Sequence, residues 1–158
     1  MDKELLELID EAIKLEMRVG ELYGLFASHF KEDKSFWVQL ELEEYNHAAL
    51  LRAAKDFVSL SKFPEEMIPA TVEQIRQSLK QLEESKKRFE NEHNRFDAFS
   101  IAYEIENAAG ELHYQQFMEK KSEDEISRIF KDLNKADSDH SRRVLDYWTK
   151  ASQEGNQK

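Results

Sequence analysis

The chain has 158 residues, 35% charged and 40% hydrophobic, with four glycines, two prolines and a net charge of −10. That length suits one domain with a sizeable core, and few breakers beside abundant Glu, Lys, Leu and Ala suit long helices. With no cysteine, disulfides, thiolate metal sites, iron–sulfur clusters and thiol nucleophiles are excluded within the chain, and the acidic balance argues against a nucleic-acid binder.

The N-terminus, Met1-Asp2-Lys3-Glu4, has no basic region followed by an apolar run, and no window reaches transmembrane length. A soluble, cytoplasmic protein with no membrane partner is expected. The first long helix is predicted over residues 2–31. Its cleanest stripe is Leu6, Ile9, Ile13, Glu16, Gly20, Tyr23, Ala27 and Phe30, alternating steps of three and four. A short polar link follows, in which Asp33 or Ser35 would cap the second helix, residues 36–62. A short link implies an antiparallel neighbour.

The second helix carries the stripe Leu40, Glu44, His47, Leu51, Ala54 and Val58. Residues three apart share a helix face, so Glu44 and His47 could grip one metal ion. A Glu and a His in a core-facing stripe are costly unless something pairs with them. Both prolines, Pro64 and Pro69, fall in the clearest break of the chain. Thr71-x-x-Gln74 then resembles a capping box. Val72, Ile75, Leu79, Leu82 and Phe89 give the following segment a narrow apolar face, so it reads as a partly helical crossover on the outside, over residues 71–91.

A further core helix is predicted from about residue 94, with the stripe Phe96, Phe99, Tyr103, Glu106, Gly110, His113 and Phe117. Ser122-x-x-Glu125 is a capping box for the last helix, striped by Ile126, Phe130, Leu133, Asp137, His140, Val144, Tyr147 and Ala151. The polar tail, residues 153–158, is expected to fray beyond a domain of residues 1–152. The expected fold is therefore all-α: an antiparallel four-helix bundle with a long crossover between its second and third helices.

The chain repeats itself. Glu16-Met17-Arg18-Val19-Gly20-Glu21-Leu22 matches Glu106-Asn107-Ala108-Ala109-Gly110-Glu111-Leu112 at four of seven positions. Glu44-x-x-His47 follows the first copy, and Asp137-x-x-His140 follows the second. With five histidines, roughly one acid-x-x-His is expected by chance. Three occur. Glu90-x-x-His93 sits at the polar end of the crossover and is assigned to chance. In the other two, acid and His occupy consecutive stripe positions. Each partner helix also has one carboxylate in its cleanest stripe, Glu16 or Glu106, whereas Glu21, Glu104 and Glu111 fall off the stripes. His113 lies roughly 10 Å along the axis from Glu106, too far to be a ligand. A core of buried salt bridges is the competing account, disfavoured because few basic residues sit on the inner stripes. Glu16, Glu44, Glu106 and Asp137 carry four negative charges when ionised, enough to balance two divalent cations. Carboxylates with one His per ion suit iron or manganese.

These residues resemble the rubrerythrin branch of the ferritin-like superfamily. The run from Glu16 to Ser28 looks like that family's metal-binding first helix, with Tyr23 seven residues after the ligand Glu. Glu44-x-x-His47 and Asp137-x-x-His140 match its two acid-x-x-His positions, and Glu106 matches its third-helix ligand. The likeness spans residues 3–147 and is specific at these six positions. It implies a ferritin-like bundle holding two iron ions, with manganese or zinc as alternatives, and no catalytic residue beyond the metal ligands. The implied function is a non-haem di-iron oxidoreductase reacting with peroxide or oxygen. An iron-oxidising handling protein and a metal-stabilised structural bundle are the alternatives. The family's cysteine-ligated electron-feeding module is missing here, which implies an external electron donor. Ala109 stands where the family commonly has an extra Glu, and Asp137 where Glu is usual; both departures point to less efficient peroxide reduction. A homodimer is the expected assembly.

Overall fold

In the computed structural model, which describes residues 3–60, 71–113 and 125–155, the described residues form five α-helices and no strand. They are α1 (Lys3–His29), α2 (Lys34–Leu60), α3 (Val72–Glu92), α4 (Arg95–His113) and α5 (Glu125–Gly155), with a 3-10 turn, Lys31–Asp33, leading into α2. The all-α expectation holds. α1 ends two residues earlier than the pattern predicts, where Phe30 turns to an extended backbone and buries its ring. At the other end α5 continues as helix to Gly155, past the start of the predicted tail. The proline break and the Ser122-x-x-Glu125 box lie outside the described residues.

α1 and α2 run in opposite directions. Lys55 donates to Asp10 at 2.5 Å near one end, and Gly24 meets Glu41 nearer the other. Glycine matters at this seam. A Cβ on Gly20 would lie 2.7 Å from Tyr45 Cε1 and 3.3 Å from Glu44 Cβ. The missing side chain therefore lets α2 close on α1 just where Glu44 projects.

α3 starts at the predicted capping box. The Gln74 amide donates to Thr71 Oγ1 at 3.2 Å, and the Thr71 amide donates to Gln74 Oε1 at 2.8 Å. Such a cap contributes on the order of 1 kcal/mol. Ile75, Leu82 and Phe89 are buried from its otherwise polar surface. α3 runs parallel to α1: Arg76 pairs with Glu7, and His93 stacks on His29 at 4.6 Å. His93 closes α3 in the left-handed conformation, φ 48°, with its amide donating to the Phe89 carbonyl at 2.8 Å. Asn94 Oδ1 then accepts the Phe96 amide at 2.9 Å and opens α4. α4 packs against α5 in the opposite sense, Phe99 meeting Tyr147 and Glu106 meeting His140.

Two expectations are corrected. Asp33 is not an N-cap. Its side chain is fully buried and accepts from Arg95 Nε at 2.6 Å, Arg95 Nη2 at 2.7 Å and Tyr147 OH at 3.1 Å. It thereby ties the turn before α2 to the starts of α4 and the later part of α5. Ser35 lies inside α2. Phe96, expected in the inner stripe, is 43% exposed. α4 packs against both α3 and α5, and its covered face is centred on Ala98, Phe99, Ile101 and Ala102.

A carboxylate and histidine cluster in the core

Five of the six expected ligands converge. Glu16 from α1, Glu44 and His47 from α2, Glu106 from α4 and His140 from α5 are each at most 6% exposed. Helix geometry explains the convergence: each occupies a core-facing stripe, so packing the apolar neighbours brings the acids and imidazoles together. Asp137 belongs to α5, but its side chain lies outside the described residues, as do those of Ala109, Gly110, Glu111 and His113.

Glu44 is the centre. Its Oε2 lies 3.3 Å from His47 Nδ1, and its Oε1 lies 2.8 Å from His140 Nδ1. His47 Nδ1 is also 3.4 Å from Glu16 Oε2, and His140 Nδ1 is 3.6 Å from Glu106 Oε2. The order across the site is thus Glu16, His47, Glu44, His140, Glu106. The two imidazoles lie nearly parallel, with ring centroids 5.2 Å apart and planes inclined by 18°. The alternating order reproduces the twofold logic of the sequence repeat.

Electrostatics follow from this order. Burial and the Glu106 charge push the Glu44 carboxyl upward, but contacts with His140, His47 and Glu16 outweigh them and hold it below the usual carboxylate range. Burial disfavours a charged His47, yet its contacts with Glu16 and Glu44 win and raise it to about 10. Against the same burial, contacts with Glu106 and Glu44 raise His140 to about 11. Within the protein alone, the imidazolium protons supply the positive charge that the buried carboxylates need.

The donor set fits a metal. Glu44, His47 and His140 offer ligand atoms within 4.8 Å of one another. Glu44 Oε1 and His140 Nδ1 are 2.8 Å apart but are not aligned as a hydrogen bond, and neither has another hydrogen-bond partner among the described residues. Buried polar atoms are rarely left so. A cation between them would use both lone pairs once the imidazole proton has left.

Sequence reasoning missed the outer partners. Glu43 Oε2 accepts from His140 Nε2 at 2.7 Å and from Arg143 Nη1 at 2.6 Å, while Gln39 Nε2 donates to Glu43 Oε1 at 3.0 Å. Pairing Nε2 with a carboxylate directs Nδ1 at the cluster. The only hint was Arg143, three residues beyond His140 and so on the same helix face. Tyr23, read as core, is fully buried and donates its phenol proton to Glu106 Oε1. Of the residues read as lying off the inner stripes, the three whose side chains are described face solvent. Glu21 is exposed and pairs with Arg18 at 2.6 Å; Glu104 is exposed and accepts from Ser100; His93 is exposed at the helix end. No helix among the described residues is long and apolar enough to cross a membrane. No family model matches the chain, and no curated protein matches it.

Proposed function

We propose that the cluster holds two iron ions and that the chain is a rubrerythrin-like, ferritin-like protein reducing peroxide or oxygen with electrons from an external donor. On this reading α1, α2, α4 and α5 are the four-helix bundle and α3 is the crossover. The observation that carries the reading is the pair of buried, misaligned ligand atoms on Glu44 and His140, flanked by Glu16, His47 and Glu106. Glu16 and His47 would hold one ion and Glu106 and His140 the other, with Glu44 shared and Asp137 completing the set. Bound iron would supply reversible one-electron chemistry and Lewis acidity toward an O–O unit.

The chain's own groups have definite tasks. Glu43 fixes the ring of His140 and keeps its Nδ1 turned inward. Tyr23 holds Glu106 by one oxygen. Leu40, Ala48 and Leu51, fully buried and one turn from Glu44 or His47 on α2, keep bulk water from these side chains and so strengthen the charge interactions there. The proposed reductant is a separate one-electron donor. A homodimer is part of the proposal and is checked by light scattering.

The test is anaerobic Fe(II) titration followed by stopped-flow addition of peroxide. Two ions per chain and fast growth of ferric absorption are expected. Absence of both would refute the reading. Oxidation by oxygen in a single round, with no turnover from any reductant, would instead identify an iron-handling protein.

A further inference from the structure

Two aromatic branches leave Tyr23. One passes through Phe26 and Phe89 to the exposed His29 and His93. It contains no further tyrosine or tryptophan. The other is built of oxidisable rings. Tyr23 stacks on Trp37 with centroids 5.7 Å apart. Trp37 touches Phe36 at 5.0 Å and Phe99 at 4.8 Å. Both phenylalanines reach Tyr147, at 4.2 Å and 5.7 Å, the first with ring planes only 17° apart.

We propose that Tyr23, Trp37 and Tyr147, bridged by Phe36 and Phe99, form a route that conducts single electrons from the half-buried Tyr147 to the Glu106 side of the carboxylate cluster. The proposal rests on the function proposed above and adds where the external donor delivers its electrons. Electron tunnelling weakens steeply with distance, and every step here is a ring-to-ring contact.

The hydrogen bonds distinguish the route from ordinary core packing. Each end is a phenol donating to a carboxylate: Tyr23 to Glu106, and Tyr147 to Asp33 at 3.1 Å. Tyr147 can therefore release its proton to Asp33 along an existing hydrogen bond as its electron leaves. Trp37 differs. It is fully buried, and its Nε1 has no hydrogen-bond partner among the described residues. An oxidised Trp37 has nowhere to send its proton, so it stays a cation and draws an electron from a neighbour. It is a relay, whereas Tyr147 is a resting point. The balance is simple. A peroxide reduced to two waters takes up two electrons, passed singly by way of Tyr23, and two protons, which come from solvent because each proton shifted along the route returns. In each passage one electron moves from Tyr147 through Trp37 to an oxidised Tyr23, and the Tyr147 proton shifts to Asp33. A one-electron donor in solution then restores Tyr147, and the proton returns.

The test separates the route from the metal. In the metal-free full chain carrying Trp148→Phe, Trp37 is the sole indole. A laser flash at the red edge of indole absorption photo-ionises it, with nitrate capturing the released electron. The tryptophanyl signal should decay as a tyrosyl signal rises; because Tyr23 stacks directly on Trp37, the route through Tyr147 is read in the Tyr23→Phe background, where the tyrosyl signal should persist and adding Tyr147→Phe should abolish it. A tyrosyl signal absent in Tyr23→Phe, or unchanged on adding Tyr147→Phe, overturns the route. Phenylalanine keeps the stacked ring at 147, so the variant tests the phenol and not the packing. The second arm uses iron-loaded protein and peroxide without reductant. A tyrosyl radical on Tyr147, lost in Trp37→Phe while ferric absorption still forms, is expected by electron paramagnetic resonance. Ferric absorption with no Tyr147 radical overturns the route's link to the cluster. A positive flash experiment with no ferric absorption overturns the proposed function instead.

Discussion

Loading the cluster with a divalent cation at pH 7 is expected to release about two protons per chain. The number follows from the two imidazoles. His47 is raised to about 10 and His140 to about 11, so both are protonated at neutrality, whereas Glu44 is held low and already ionised. A cation can use an imidazole lone pair only after its proton leaves. At pH 7 each proton is held by on the order of 4–6 kcal/mol, from about 1.4 kcal/mol per pKa unit. Apparent affinity for the first ion should therefore rise roughly tenfold per pH unit for each coupled proton, well into the alkaline range. Calorimetric titration with Mn(II) or Fe(II) in buffers of different ionisation enthalpy counts the protons directly. His47→Ala should reduce the count to about one. Metal binding with no proton release in the wild type would show that the imidazoles are neutral and would refute the charge assignment.

The metal-free protein should show the matching stability profile. Raised imidazole pKa values contribute stability that is fully present below about pH 6.5 and is lost as pH rises toward 10 and 11; the lowered Glu44 contribution is present above its ordinary value and fades as the medium becomes more acidic. Thermal melts in chelator should therefore be highest in mildly acid buffer, and a rising Tm between pH 7 and 9 would contradict this. Glu43→Gln should weaken binding of the ion on His140 by roughly 10–100-fold in chelator competition, leaving the His47 ion near normal. Glu44→Ala should disturb both ions and Glu16→Ala mainly the one on His47, while Glu21→Ala and His93→Ala retain full stoichiometry; loss in Glu21→Ala with normal loading in Glu16→Ala would overturn the ligand assignment. Asp33→Ala removes the buried carboxylate partner of the partly exposed Arg95, which keeps Glu32 nearby, and should cost about 1–3 kcal/mol in denaturant unfolding.

The predicted stripes show which part of this was legible. Ile9, Ile13, Glu16, Gly20, Tyr23, Ala27 and Phe30 are all buried, as read from spacing alone. α1 packs on both α2 and α3, so the stripe read from spacing is only part of its covered face: Leu8, Ala12, Leu15, Val19, Leu22 and Phe26 are buried beside it. α4 packs on two helices, and a single 3/4 stripe misplaced Phe96. Glu16, Glu44, His47, Glu106 and His140 were legible for an energetic reason: a charged or ionisable side chain in an apolar stripe demands a partner. Glu43 and Asp33 carried no such signal. Glu43 meets His140 and Arg143, 97 and 100 residues away, and Asp33 meets Arg95 62 residues away. Beside a short polar link, an Asp looks like a helix cap until its tertiary partners are known.

The comparison of Asp33 with Glu44 bears on the rival account, a core held by buried salt bridges. Both carboxylates are buried, and both are compensated. Asp33 receives two well-aligned guanidinium bonds and a phenol, all between 2.6 and 3.1 Å. Guanidinium does not give up its proton in proteins, so that arrangement is permanent. Glu44 is compensated by two imidazoles and its contact with Glu16, with no guanidinium among these partners, and its closest imidazole contact, at 2.8 Å, is misaligned. Imidazole is the one common cationic partner that can lose its proton and then present a lone pair from the same atom. A purely structural core would gain from the first kind of pairing at both places. Among the described residues the second kind of pairing occurs where Glu16, Glu44 and Glu106 converge, and this supports the proposed exchange of protons for metal ions over a purely structural core.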